Sequence, residues 1–287
     1  MNGRIITLAL LLAAGLAACN TKVIDPGPTP PAASMTFKNG ARYQYDSYQT
    51  DPTTSEKMSA TERTRTWTLV NPSASAYGRA GVAVFIDSIV AGGTIVTVAD
   101  SVLLEQSSGS NDINRYASLA PELDFSGNIP INVDLGRQWM REATLNATTA
   151  NWFVGEASDT VQMNLNIPGL QGVKVGVADS AIASAQDNVV VNGTSYTATK
   201  TTHNLELSIS LLVNVPILGV QAIKVKSETL TRTTWTVPSL GAIAREERQG
   251  KVIDVSGSTI SGITIPSFSL PVPGYVSVMT QVLATGN

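Results

Sequence analysis

Leu205-Glu206-Leu207-Ser208-Ile209-Ser210-Leu211-Leu212-Val213-Asn214 alternates apolar and polar side chains with a period of two. Every odd-numbered position from 205 to 213 is apolar, while Leu212 is the only apolar residue among the even ones. That period belongs to a β-strand with one face on a core and the other in water. Just upstream, Val189-Val190-Val191 and Ser195-Tyr196-Thr197 flank Asn192-Gly193, a dipeptide suited to the two positive φ angles of a type I′ turn. A hairpin is predicted there. A second is predicted from 82–90 and 94–105 around Ala91-Gly92-Gly93, with further strands over 42–48, 61–70, 161–167, 220–237, 243–255 and 275–284. Trp139-Met140-Arg141-Glu142 fits a strand or a short helix, and 117–123 fits a helical turn or two. The connections are too short for parallel crossovers, and residues 35–287 are rich in Thr, Ser and Val. The expected fold is all-β: a large curved antiparallel sheet (a half-barrel) or a sandwich, with at most short helices.

Composition narrows the chemistry. The 287 residues include 19 Lys+Arg, 22 Asp+Glu, one His and one Cys. Charged residues make up 14%, against roughly 25% in an average domain, and hydrophobic ones 43%, enough for a packed core. A net charge of −3 gives no reason to expect nucleic acid as a partner. One cysteine cannot form an internal disulfide or a Cys-based zinc site, and one histidine excludes HExxH. A Ser-His-acid triad would have to use His203, yet His203 shares parity with Leu205 and Leu207 and reads as a hydrogen-bonded histidine at the core edge. GxSxG and GxxxxGK[ST] do not occur, and Gly169-x-x-Gly172-x-x-x-Gly176 lacks the order of a dinucleotide fingerprint. Among the acids, Glu246-Glu247-Arg248 reads as a solvated edge, and Glu122 and Asp124 follow Pro121 in a loop. Trp67, Trp139, Trp152 and Trp235 are read as core residues, with a sugar platform as the alternative. No catalytic, cofactor-binding or metal-binding residue is assigned.

The N-terminus carries a different message. Met1-Asn2-Gly3-Arg4 precedes an uncharged, Ile-, Leu- and Ala-rich run over 5–18, the pattern of a targeting segment. Fourteen helical residues span about 21 Å, short of the ~30 Å hydrocarbon core. The run ends Leu16-Ala17-Ala18-Cys19, which resembles the lipobox of bacterial lipoproteins and uses the chain's only cysteine. The resemblance implies cleavage before Cys19, a diacylglyceryl group on its thiol and often acylation of the new amino group. Asn20 in place of Asp is similar to the pattern sorted to an outer membrane. Each buried CH₂ contributes about 0.8 kcal/mol, so two or more chains give durable attachment. The alternative is an ordinary secretory signal with Cys19 packed as a small hydrophobe. Residues 19–34 include Asp25-Pro26-Gly27-Pro28-Thr29-Pro30-Pro31 and read as an extended tether, about 45 Å long at ~3.1 Å per residue. The expected organisation is a lipoprotein signal peptide over 1–18, a Pro-rich tether over 19–34 and a single β domain over 35–287.

A second resemblance covers 196–252. Pro216-x-x-Gly219-x-x-Ala222-x-Lys224-Val225, followed by Trp235-x-x-Pro238-x-x-Gly241-x-x-x-Arg245-Glu246, is similar to a pattern in secreted bacterial β proteins with the half-barrel of periplasmic lipoprotein carriers. Leu218 and Gln221 occupy positions where that pattern carries a small residue and Phe. The resemblance implies that the first block enters one strand and the second ends the next, and that the concave face accepts lipid or acyl groups beneath a lid. Residues 255–287 contain no Asp, Glu, Lys or Arg and include the apolar stretch 263–274, where prolines at 266, 271 and 273 exclude a central strand. This segment either covers a ligand cavity or packs over the protein's own core. The function expected is that of a non-catalytic, lipid-anchored envelope protein, on an outer membrane, binding an apolar ligand or a protein partner. A structural or adhesive surface module and a hydrolase using paired carboxylates are the alternatives.

Overall fold

A computed structural model describes residues 34–91, 94–119, 135–146, 151–162, 169–215, 217–260, 263–265 and 267–287. Cys19 and the tether, the pair Glu122 and Asp124, and the Gly92-Gly93 turn lie outside these residues. The described chain is almost entirely strand, with 3₁₀ turns at Ser59–Thr61 and Pro238–Leu240. Sixteen strands are numbered here in chain order: β1 (Arg42–Thr50), β2 (Arg63–Ala76), β3 (Arg79–Ala91), β4 (Thr94–Gln106), β5 (Asp112–Ala117), β6 (Gln138–Thr144), β7 (Trp152–Gln162) and β8 (Leu170–Val191). They continue as β9 (Thr194–Val215), β10 (Gly219–Val237), β11 (Ala242–Arg248), β12 (Lys251–Val255), β13 (Ser258–Ile260), β14 (Ile263–Ile265), β15 (Phe268–Val272) and β16 (Gly274–Ala284).

Twelve of these form one antiparallel sheet in the order β6-β5-β4-β3-β2-β1-β16-β11-β10-β9-β8-β7. Hairpins generate most neighbours, whereas β1 pairs on one side with β2 and on the other with β16, joining the two ends of the described chain. The sheet curls until it is nearly closed into a barrel. Its edges, β6 and β7, meet through side chains: Trp152 Nε1 donates to the Arg141 carbonyl at 2.9 Å and Gln138 Nε2 to the Glu156 carbonyl at 3.2 Å. Covering an edge in this way removes most of the unpaired strand that would otherwise attract another chain.

The 205–214 alternation holds: Leu205, Leu207, Ile209, Leu211 and Val213 are all buried, and Glu206 is exposed. Asn192 and Gly193 adopt φ of 46° and 78°, so the predicted hairpin joins β8 to β9. The region 139–142 is strand, within β6. Three expectations are corrected. The strand expected over 243–255 is two strands, because Gln249 N–H donates to the Thr231 carbonyl (2.9 Å) and the chain then leaves the sheet at Gly250. The strand expected to begin at 161 begins at Trp152 and ends at Gln162; 163–168 lie outside the described residues. The blocks at 216–225 and 235–246 bracket one strand, β10, with the second block also opening β11, rather than serving successive strands.

Two apolar clusters fill the interior. One gathers Tyr43, Tyr45, Trp67, Leu69, Phe85, Leu104, Ile113, Val237 and Met279, with Tyr45 and Trp67 ring centroids 4.6 Å apart. The other is built on Leu205–Val213 with Val173, Val175, Val177, Trp152 and Leu230. Over the second lies a two-stranded ribbon, β12 paired with β15, whose Ile253, Val255, Leu270 and Val272 are buried in the same cluster. Pro271 is tolerated because the ribbon is two strands wide. The ribbon's stems cross at Gly250 and Gly274; a Cβ at Gly274 would lie 2.8 Å from Gly250 N and 2.1 Å from Thr50 Oγ1. Only glycine allows that backbone approach.

Candidate functional site

Between the two apolar clusters the inner face turns polar. On β9, inward parity continues from Leu205 back to His203, Thr201 and Thr199; on β10 it runs from Leu230 to Arg232, Thr234 and Thr236. Arg232 and His203 are register partners, as are Thr234 and Thr201. Arg232 lies at the centre of an ionic network. Its Nη1 is 2.9 Å from Glu142 Oε1 on β6 and 3.2 Å from Glu246 Oε1 on β11, and its Nη2 is 3.1 Å from Asp179 Oδ2 on β8. Arg115 Nη1, from β5, reaches the other Glu246 oxygen at 2.9 Å. His203 Nδ1 lies 3.2 Å from Asp179 Oδ1. An ionised carboxylate only accepts, so this contact calls for the proton on Nδ1, while Arg232 Nη2 lies 3.4 Å from the same nitrogen.

Electrostatics fix the charge states. Burial opposes charge on Arg232, but the carboxylates of Glu142, Asp179 and Glu246 outweigh it and raise its pKa. Burial likewise pushes Glu246 upward, and Arg115 and Arg232 overcome that push to bring it down to about 2. Asp179 is lowered too, with burial opposed by the hydrogen bond from His203 and the charge of Arg232. A glycosidase-type acid pair needs one carboxyl raised so that it can give up a proton near neutral pH. Glu246 and Asp179 are shifted the other way. The network is suited to holding strands together across the lumen, not to proton transfer.

The sequence placed these residues unevenly. His203 is hydrogen-bonded to Asp179, as expected, but is fully buried rather than at the core edge. Glu246 and Arg248 are corrected: they are not a solvated edge, because β11 turns Glu246 toward Arg115 and Arg232 and buries Arg248, leaving Arg245 and Glu247 to pair outside at 2.5 Å. Trp67, Trp152 and Trp235 are core residues. Trp139 is only half-buried, packed against Tyr116 and capped by Arg79, with its N–H on the Tyr77 carbonyl. Arg232, Glu142, Asp179 and Arg115 were not anticipated. The available signal was the parity of Arg232 with Leu230, which marks an inward-facing charge but not its partners.

A cavity of about 20 Å³ lies beside the network, lined by Arg115, Leu119, Met140, Arg232, Glu246 and Tyr275. It has room for about one water molecule. A shallow groove of about 550 Å³ crosses the outer face of β7–β10, lined by Glu156, Ser158, Lys174, Glu206, Ser208 and Ser210. Ala157, Gly176, Val177, Ala178 and Ala222 complete a lining that mixes charged, polar and apolar groups. Among the described residues, no three His, Cys, Asp or Glu side chains are grouped to hold a metal ion.

No protein-family model matches the chain, and no curated protein matches it. Two solved structures are similar to it. One, from Parabacteroides distasonis and assigned as a lipoprotein, shares 11% identity at a TM-score of 0.44, over 86% of this chain and 96% of that one. The other, from Bacteroides fragilis, is assigned as an exported protein with a YmcC-like fold; it shares 8% identity at a TM-score of 0.40, over 88% of this chain and all of that one.

Proposed function

We propose that this chain is a non-catalytic, lipid-anchored protein of the bacterial cell envelope, held on an outer membrane through acylated Cys19. A Pro-rich tether over 19–34 carries a β domain over 35–287. The observation that carries the reading is the order Arg4, apolar run, Leu16-Ala17-Ala18-Cys19, with the only cysteine at the acylation position. In a strain that processes lipoproteins, Cys19→Ser should abolish incorporation of labelled palmitate and leave unprocessed precursor; persistent labelling would overturn the anchor.

The β domain is proposed to take up an apolar, lipid-like ligand along the inner face of β8–β10. Support comes from the ribbon of β12 and β15, whose strands pair with each other outside the twelve-stranded sheet and which rests on that face through side chains. Lifting it would expose the Leu205–Val213 row. A second reading, a structural or adhesive module with no ligand, is favoured by the same ribbon's burial of Ile253, Val255, Leu270 and Val272, which already fill the trough. Native mass spectrometry of the purified full chain separates the two: a co-purifying lipid supports uptake, and lipid-free protein that takes up no added fatty acid supports the module.

A further inference from the structure

The turn between β9 and β10 is apolar and exposed. Ile217 is fully exposed at φ 73°, a left-handed conformation that a β-branched residue rarely adopts, and Leu218 and Val220 are 68% and 49% exposed. This turn shares its end of the sheet with the start of β8, since Leu170 pairs with Val213 and Asn214 N–H donates to the Gly169 carbonyl. The ribbon runs toward the same end: Lys251 pairs with Glu228, while Val255 lies in the cluster against which Ile223 and Val225 pack.

Charge is absent from all three approaches to this end. Residues 160–173, 207–223 and 255–273, preceded by Asp159, Glu206 and Asp254, contain no Asp, Glu, Lys or Arg. The charges return together. Lys174 on β8 and Lys224 on β10 are both register partners of Ser210 on β9, so two lysines share one row of the outer face. Lys224 also lies 3.3 Å from Glu206, both more than half exposed. From Ser210 to Val215 the strand advances about 17 Å at ~3.3 Å per residue.

We propose that this uncharged end docks on a phospholipid bilayer surface, the turn residues Ile217, Leu218 and Val220 entering the acyl boundary and Lys174 and Lys224 meeting headgroup phosphates. Apolar side chains enter that boundary by roughly 5–10 Å. With the tip at that depth, the lysine row stands at headgroup level, where long ammonium side chains reach phosphate oxygens. The fit to a lipid surface rests on charge: the uncharged runs 160–173 and 207–223 each lead from this end to a lysine of one outer row, the order of side chains met on passing from acyl chain to phosphate. This deepens the proposed envelope location by giving the folded domain its own membrane contact.

The test uses the full chain in vesicles of phosphatidylethanolamine and phosphatidylglycerol, with an environment-sensitive NBD fluorophore on Leu218→Cys and, as control, on Val190→Cys. Val190 is 66% exposed beside the turn at the other end of β9, and both sites are exposed enough to tolerate substitution. Protein-bearing vesicles are mixed with empty ones, and brominated lipid is placed in one population and then the other. Docking predicts that emission at position 218 shifts to the blue, rises several-fold and is quenched by brominated lipid in one population, while position 190 stays water-like. Water-like, unquenched emission at both positions overturns the proposal. The parent chain reports on the anchor separately: a Cys19 thiol that accepts the fluorophore is unacylated, whatever the turn does.

Discussion

The two halves of β9 obey the same period of two and bury opposite chemistry. From Leu205 to Val213 the inward residues are aliphatic, and any neighbour of suitable size would satisfy them. From Thr199 to His203 they are polar, and each needs a particular partner in a particular place. Arg232, opposite His203, finds its carboxylates on β6, β8 and β11. One half is specified by pattern and the other by closure of the barrel. Nearly closed, the sheet brings Glu142 on an edge strand within reach of the middle of β10, and that reach makes a buried guanidinium tolerable.

This contrast can be broken by mutation. The largest effect is expected from Arg232→Met, which leaves Glu142 and Asp179 buried without their countercharge; about 3–5 kcal/mol of stability should be lost in denaturant unfolding. A loss no larger than that of an aliphatic trimming would show that the polar half packs like the apolar one. Acid comes next. Glu246 is held at about 2, below its ordinary 4.5, and Asp179 is also lowered. The unfolded chain therefore binds more protons, and the stability these groups contribute is present above about pH 4.5 and lost as pH falls toward 2. For Glu246 alone the loss is roughly 3 kcal/mol. Unfolding midpoints measured across that window should fall in wild type and fall less in Glu246→Gln. The smallest change sharpens the other side: Ile209→Val, removing one methylene from the aliphatic row, should cost about 1 kcal/mol.

How much was legible follows the same division. The β8–β9 hairpin could be read because Asn192-Gly193 and the alternation after Leu205 are local signals. The end of β11 could not, because the break at Gln249-Gly250 is set by Thr231 and by the crossing of Gly250 and Gly274, all non-local. Glu246 was read as a surface charge for the same reason. Strand geometry sends it and Glu247 to opposite faces, and only the positions of Arg115 and Arg232 decide which face is inside.

By itself the sequence determined an all-β chain, the Asn192-Gly193 hairpin and the parity of Leu205–Val213, because turns and periods act over a few residues. The tertiary structure alone decided that the sheet curls into a nearly closed barrel, that a ribbon of Lys251–Val255 and Phe268–Val272 fills the trough, and that five charged side chains from five strands meet in the lumen. Those outcomes depend on strand pairings dozens to hundreds of residues apart. The burial that makes each charge need its partners arises only once the sheet has curled.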